Sequence, residues 1–258
     1  KGMRQEYSVT ASGGSDKTQA YLSVSYLDDK GYVPNSGFKR ISIRGKIDQQ
    51  IGKKLKVGLN LAYANTNMQQ YNDSEDSNYS NLFMFSQMIA PIYPIYMYNQ
   101  ETGEQMFGQN GEVLYDWGET GRAYAPTSNP YGQLLTSDKT SITDNISSRG
   151  YINWDIMKDL VLSVNVAYDV FNNNGNYFTT PAGGDAKNVG GRGEQDAQRY
   201  TALNANQLLT WSPTFGGNHN LNVLLGHEIK SDEGATMIPD VIVMYPDETI
   251  VIIDSKVS

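Results

Sequence analysis

The chain has no cysteine, which excludes disulfides, thiolate metal sites and cysteine nucleophiles. Nor is there an apolar run near the roughly 18 to 20 residues that a membrane-spanning helix requires, so a helical membrane protein is excluded. Histidine is scarce: His219 and His227 are the only two, too few for a histidine metal cluster, and both suit turn or wall positions. Basic residues are a minority, 20 Lys and Arg against 28 Asp and Glu for a net charge of -8. A broad basic face for nucleic acid is therefore missing. No charged segment with an apolar stretch follows Lys1, so an export signal is not expected here, and for an exported protein that reads as an internal fragment.

What is abundant is 18 Tyr and 25 Gly, together with much Asn and Ser, which favours strands and turns over helices. Apolar and polar residues alternate with a period of two, placing them on opposite faces of a strand. Eight strands are expected. The first two are 6–13 and 18–27, the latter setting Leu22, Val24 and Tyr26 against Ser23 and Ser25. The third sets Ile41, Ile43, Gly45 and Ile47 against Ser42, Arg44, Lys46 and Asp48. In the fourth, Leu55, Val57, Leu59, Leu61 and Tyr63 oppose Lys56, Gly58 and Asn60. The fifth, 141–155, has Ile146, Ile152, Trp154 and Ile156 in one row. The sixth is 160–171, the seventh 198–211 and the eighth 221–229.

The connections sort by length. Short turns at 13–17, 51–54, 156–158 and 212–219 fall at one end, and longer loops at 28–37, 69–139 and 172–197 at the other. Outer-membrane barrels have this polarity, with short periplasmic turns and long extracellular loops. A soluble antiparallel sandwich also alternates but does not require such sorting. The expected fold is therefore all-β: an antiparallel, curved, partial transmembrane barrel of about eight strands with long extracellular loops. Trp154, Trp211 and Tyr63 suit an aromatic girdle at the membrane interfaces. A short helix is expected at 82–89 in the first long loop.

Within that loop Tyr93, Tyr96, Tyr98, Tyr115 and Trp117 are the candidate ligand-binding residues, because flat aromatic faces stack on sugar rings while excluding water. The competing reading is that they pack the loop against the wall. Asp73, Glu75 and Asp76 lack the glycine and ligand spacing of a calcium loop and read as solvated. Gly190-Gly191-Arg192-Gly193 lacks the Lys-Ser/Thr ending of a phosphate loop and reads as flexible.

Several segments resemble the SusC/RagA family of TonB-dependent outer-membrane transporters. They are Ser8-Val9-Thr10-Ala11-Ser12-Gly13-Gly14-Ser15-Asp16-Lys17-Thr18, Tyr21-Leu22-Ser23-Val24-Ser25-Tyr26, Leu55-Lys56-Val57-Gly58-Leu59-Asn60-Leu61, Met88-Ile89-Ala90-Pro91-Ile92-Tyr93-Pro94-Ile95-Tyr96, Asn129-Pro130 and Leu224-Leu225-Gly226-His227-Glu228. The resemblance covers about residues 6–230. It implies an importer of oligosaccharides or peptides in the bacterial outer membrane, surrounded by outer-membrane lipid, with a SusD-like surface lipoprotein as lid and energy delivered through TonB. No cofactor is implied for the barrel. Plugged transporters of this kind use about 22 strands, so a wall of eight is expected to stay open and not to transport alone.

The tail resembles another family. Met237-Ile238-Pro239-Asp240-Val241-Ile242-Val243, Tyr245-Pro246-Asp247 and Ile250-Val251-Ile252-Ile253-Asp254-Ser255-Lys256 are similar to the RmuC DNA-recombination proteins, with a core like the PD-(D/E)xK nucleases. That resemblance implies Asp240 and Asp254 as metal ligands, with Mg2+ as the ion, Lys256 as a third catalytic residue, and DNA as substrate. The helix-borne acidic residue of such nucleases has no counterpart, so the tail is expected to be inactive. Ile250 to Ile253 is apolar without alternation, unlike the wall. Two units of different origin are therefore expected, 1–230 as partial barrel and 231–258 as a nuclease-core fragment forming a β-hairpin, joined by fusion or misassembly near 230–235. A closed eight-stranded surface barrel is the remaining alternative, and it requires the first and eighth strands to pair.

Overall fold

The structure is a computed structural model, and it describes residues 1–70, 82–118, 121–122, 127–216, 219–231, 236–237, 241–244 and 250–253. Seven long strands follow in chain order: β1 (Met3–Gly14), β2 (Thr18–Lys30), β3 (Gly37–Ile51), β4 (Leu55–Gln69), β5 (Asp138–Met157), β6 (Leu160–Thr179) and β7 (Arg192–Trp211). A small hairpin of β8 (Thr214–Phe215) and β9 (His219–Asn220) occupies the next turn, and β10 (Asn222–Lys230) is the eighth wall strand. Every neighbour is antiparallel, in the order β1-β2-β3-β4-β5-β6-β7-β10. Beyond β10 come the short β11 (Thr236–Met237), β12 (Val241–Met244) and β13 (Ile250–Ile253). β11 and β12 both pair with β10, and β13 with β12.

The eight expected strands are all present, and several are longer than expected on the side of the long loops. β6 continues through Asn172 to Thr179 and β7 begins at Arg192, so half of the expected 172–197 loop is a strand ladder. Asn172, Asn173, Asn174, Gly175 and Asn176 are poor strand formers without alternation, yet each has a register partner on β7. Gly193 of the expected flexible glycine loop belongs to that ladder, while Gly190 and Gly191 take left-handed φ of 76° and 100°. Ile156 is not the end of the apolar row. It is the extra residue of a bulge between Asp155 and Met157, its carbonyl accepting from Lys54 Nζ at 3.3 Å.

The feet of the strands are tight because single residues take left-handed backbone there: Gly52 at φ 64° and Asp159 at φ 63°. The register climbs steadily around the sheet. Gly14↔Gln19, at the foot of the first hairpin, lines up with Asp48, three residues above the foot of β3 at Ile51, and through Gly58 with Tyr151, six residues above the foot of β5 at Met157. Such a stagger tilts strands against the axis of a barrel.

The wall does not close. Among the described residues β1 pairs only with β2, and β10 pairs with β7, β11 and β12. The closed eight-stranded alternative is thereby corrected: the edge of β10 that would meet β1 is taken by β11 and β12. No described helix is long and apolar enough to cross a membrane. The sandwich alternative fails as well, because the apolar rows are uncovered: Val9 is 75% exposed, Leu22 50% and Leu61 47%.

Candidate functional site

The wall has two chemically opposite faces. On one, Val9, Val24, Ile43, Tyr63, Ile146 and Val170 are register partners in a single row across six strands. Most of these side chains are exposed. In water such a surface would cost about 25 cal/mol for each Å² of apolar area left uncovered. Trp154 and Trp211 are exposed near the short turns, and Trp211 meets Phe215 edge-on at 6.3 Å. At the opposite margin Tyr63 donates its hydroxyl to Asp144 Oδ1 at 2.7 Å, beside Asn65 Nδ2 at 2.8 Å. An apolar band between aromatic margins is what a lipid-facing wall presents.

The other face is wet. One row runs Lys46, Asn60, Arg149, Ala167, Asn204 and Lys230. The row below it runs Asp48, Gly58, Tyr151, Asn165, Asn206 and Glu228. Polar groups there are matched locally: Lys46 Nζ lies 2.8 Å from Asp48, Asn204 Nδ2 donates to Glu228 at 2.9 Å, and Asn165 Nδ2 donates to Asn206 at 2.8 Å. A depression of about 270 Å³ lies between these residues. Tyr151 on β5 reaches across β4 to donate to Asp48 Oδ1 on β3 at 2.5 Å. It can do so only because Gly58 lies beneath its ring, where a Cβ would overlap it. Replacing Gly58 by Val is expected to cost about 1 to 3 kcal/mol by overpacking. Tyr151→Phe should cost about 1.5 to 3 kcal/mol through the lost charge-assisted bond. Urea unfolding in detergent measures both, and equal stability of Gly58→Val and wild type would refute the three-strand interlock.

The packed interior of the protein lies above the wall, among the long loops. α1 (Leu82–Met88) matches the expected helix, and α2 (Pro130–Thr136) starts at Pro130 with Asn129 as its cap. Asn129 holds three segments: its Oδ1 accepts from Gly132 N at 3.0 Å, and its Nδ2 donates to the carbonyls of Ile95 at 2.7 Å and Asp116 at 3.0 Å. Between them the chain runs as a narrow ladder, with Tyr96 opposite Tyr115 and Tyr98 opposite Gln105. Asn35, at φ 54°, donates to Leu134 O at 2.9 Å and ties the first long connection to α2. The last connection enters through Gly184 N donating to Thr127 O at 2.8 Å.

This cap positions the five aromatic candidates differently. Trp117 is 6% exposed and fills the space left by Gly183, where a Cβ would overlap the indole. Tyr115 lies over Gly132, meets Trp117 at 6.5 Å between ring centroids and Tyr96 at 5.7 Å. Tyr131, not singled out in the sequence, joins them edge-on to Tyr96 at 6.5 Å. Its place after Asn129-Pro130, at the start of a capped helix, was the signal available. Burial pushes the Tyr115 phenol above its ordinary pKa, with Tyr96 and Tyr131 adding to the effect. Tyr93 is half-buried and Tyr98 is exposed. Three of the candidates thus come together as a packed cluster, and Tyr98 presents its ring to solvent.

Asp240, Asp254 and Lys256 of the nuclease-like motif lie outside the described residues, as do Asp73, Glu75 and Asp76. Among the described residues no group of three or more His, Cys, Asp or Glu side chains is arranged to hold a metal ion. His227 is a wall residue with Nδ1 2.6 Å from Gln207 Oε1, and His219 is in the small turn hairpin.

No known protein-family model matches the chain. It is 21% identical over 220 residues to TonB-dependent receptor P26 of Formosa agariphila, covering 84% of this chain and 20% of that protein. With TonB-dependent receptor P3 of the same organism it is 24% identical over 229 residues, 87% of this chain and 21% of the other. Its relatives are TonB-dependent receptors. Among solved structures, the RagAB peptide importer in its closed-closed state superposes with a TM-score of 0.61 at 21% identity, over 93% of this chain and 25% of the other. The open-open state gives 0.60 at 21% identity over 93% and 24%. The fold is accordingly that of a segment of such a barrel wall, and the chain spans about a fifth of the length of the curated relatives it matches.

Proposed function

We propose that this chain is a wall segment of a SusC/RagA-type importer in the bacterial outer membrane. The observation that carries this reading is the uncovered apolar row from Val9 to Ile146, backed strand by strand by a polar face. A protein in water would bury that row, and a barrel in lipid leaves it outward. The proposed cargo is an oligosaccharide or a peptide, taken up by the full-length protein with energy delivered through TonB and with a SusD-like lipoprotein against the loop cap. Exposed Tyr98 and half-buried Tyr93 are the proposed ligand-contacting aromatics. The wall is proposed to act without a cofactor and without catalysing a reaction, and an open segment is proposed to be unable to transport alone.

Tryptophan quenching by brominated lipids tests the orientation. In vesicles, Trp154 and Trp211 should be quenched and the buried Trp117 should not, so the double variant Trp154→Phe/Trp211→Phe should lose most of the quenching. Quenching that persists undiminished in the double variant would sink the lipid-facing assignment.

A further inference from the structure

Two depressions adjoin on the polar face of the wall, and small side chains make the room for both. One, of about 270 Å³, has Ala167 in its lining together with Asn60 and Arg149. The other, of about 230 Å³, lies nearer the long loops, with Ala62 and Ala64 in its lining together with Arg44 and Asp169. The register row between them runs Arg44, Ala62, Ser147 and Asp169 from β3 to β6. Ala62 and Ser147 stand in the middle of that row, so no long side chain divides the trough there. β3 and β5 are two strand spacings apart, about 10 Å, and Arg149 is two residues below Ser147, beside Asn60. Arg44 and Arg149 thus flank the trough from either side of β4.

The cations of the trough are unequally engaged. Lys46 is held by Asp48 at 2.8 Å, and the same carboxylate accepts from Tyr151. Arg149 meets Asp169 only at 4.0 Å, with the two side chains 66% and 44% exposed. A pair so long and so wet holds a guanidinium weakly. Arg44 makes no hydrogen bond or ion pair among the described residues, and neither does the carboxamide of Asn60. Arg44, Lys46 and Arg149 against Asp48 and Asp169 leave a single positive charge, since Lys230 and Glu228 at the far side of the wall answer each other at 3.4 Å. One positive charge suits one carboxylate better than a doubly charged phosphate. A guanidinium grips a carboxylate through two parallel N–H···O bonds, and a carboxamide beside it both donates and accepts.

We infer that this trough is a binding station for a carboxylate group carried by the cargo. Arg149 takes the carboxylate as a two-pronged pair, Arg44 adds positive potential from across β4, and Asn60 hydrogen-bonds the hydroxyl or amide next to it. The inference rests on the wall reading, under which this face lines the path of the cargo, and it narrows that cargo to chains bearing acidic groups. An acidic residue of a peptide and a uronic acid of an oligosaccharide both present the required group.

Arginine side-chain Nε–Hε signals in NMR spectra of the whole chain, refolded in detergent, test it with acetyl-Gly-Glu-Gly-amide and glucuronate, and with acetyl-Gly-Gln-Gly-amide and glucose as their neutral counterparts. The Arg149 signal should shift saturably with one or both acids and stay in place with the neutral molecules, and whichever acid binds names the source of the carboxylate. Arg149→Gln, followed at the Arg44 signal, should weaken binding by about tenfold or more, and Arg149→Lys should recover only part of it because an ammonium has no fork. Circular dichroism equal to wild type shows that both variants are folded. Acids that move Arg149 no more than their neutral counterparts do would overturn the inference, as would undiminished binding in a folded Arg149→Gln or tighter binding of inorganic phosphate than of either acid. The wall reading survives any of those results if Trp154 and Trp211 are quenched by brominated lipid. If they are not, the wall reading fails and the role in cargo passage fails with it.

Discussion

Val24→Arg is expected to destabilise the wall in lipid vesicles by about 2 to 4 kcal/mol, the cost of a guanidinium near the middle of a lipid-facing strand. Val24 is exposed, six residues above the foot of β2, and lies between Val9 on β1 and Ile43 on β3. Its neighbour in sequence points the other way. Ser25 lies between Ser8 and Ser42, so Ser25→Arg should change stability by no more than about 0.5 kcal/mol, as surface substitutions usually do. The pair makes the test independent of arginine's effect on a strand as such. Urea titration of folding into vesicles measures both, and equal penalties at the two positions would show that lipid does not distinguish the faces.

Trp117→Ala is expected to open the loop cap, at a cost of about 3 to 5 kcal/mol for truncating a buried indole. The burial is specific, because Gly183 from the last long connection leaves the ring its space, and the chain on either side is fixed by Asn129 Nδ2 donating to Asp116 O and Gly118 N donating to Asp116 Oδ1. Gly183→Val should reach the same state from the other side, since its Cβ would overlap the ring. The wall lies outside this cluster, so β-sheet circular dichroism should be unchanged in both variants while protease cleavage between α1 and α2 accelerates. Unaltered cleavage in Trp117→Ala would mean that the indole does not hold the cap closed. Tyr98→Ala is the natural companion: it should leave the cap closed because that ring is exposed.

Alternation made the wall legible in the sequence because a strand sends successive side chains to opposite faces, and here one face is apolar and the other polar. All eight wall strands followed from that pattern and from the turns. Toward the long loops the alternation ends. Asn172 to Asn176 and Glu194 to Gln198 are polar on both faces, so their pairing left no period to read, and only cross-strand register shows that they continue the sheet. Ile156 was misassigned for a related reason, since a bulge shifts register without changing composition.

For the candidate site, residue type alone singled out five aromatics of one long loop. It did not separate stacking platforms from packing. That distinction depends on what lies against each ring, and the neighbours come from far along the chain: Gly183 for Trp117, Gly132 and Tyr131 for the Tyr96–Tyr115 pair, and Asn35 for α2. The sequence by itself determined which side of each wall strand is apolar and which end carries the long loops, because alternation repeats every two residues and the turns are local. Tertiary structure alone decided that β6 and β7 run on as a ladder into the loop region and that the cap has a tryptophan at its centre. These are outcomes of register and long-range packing, and neither leaves a periodic trace in the chain.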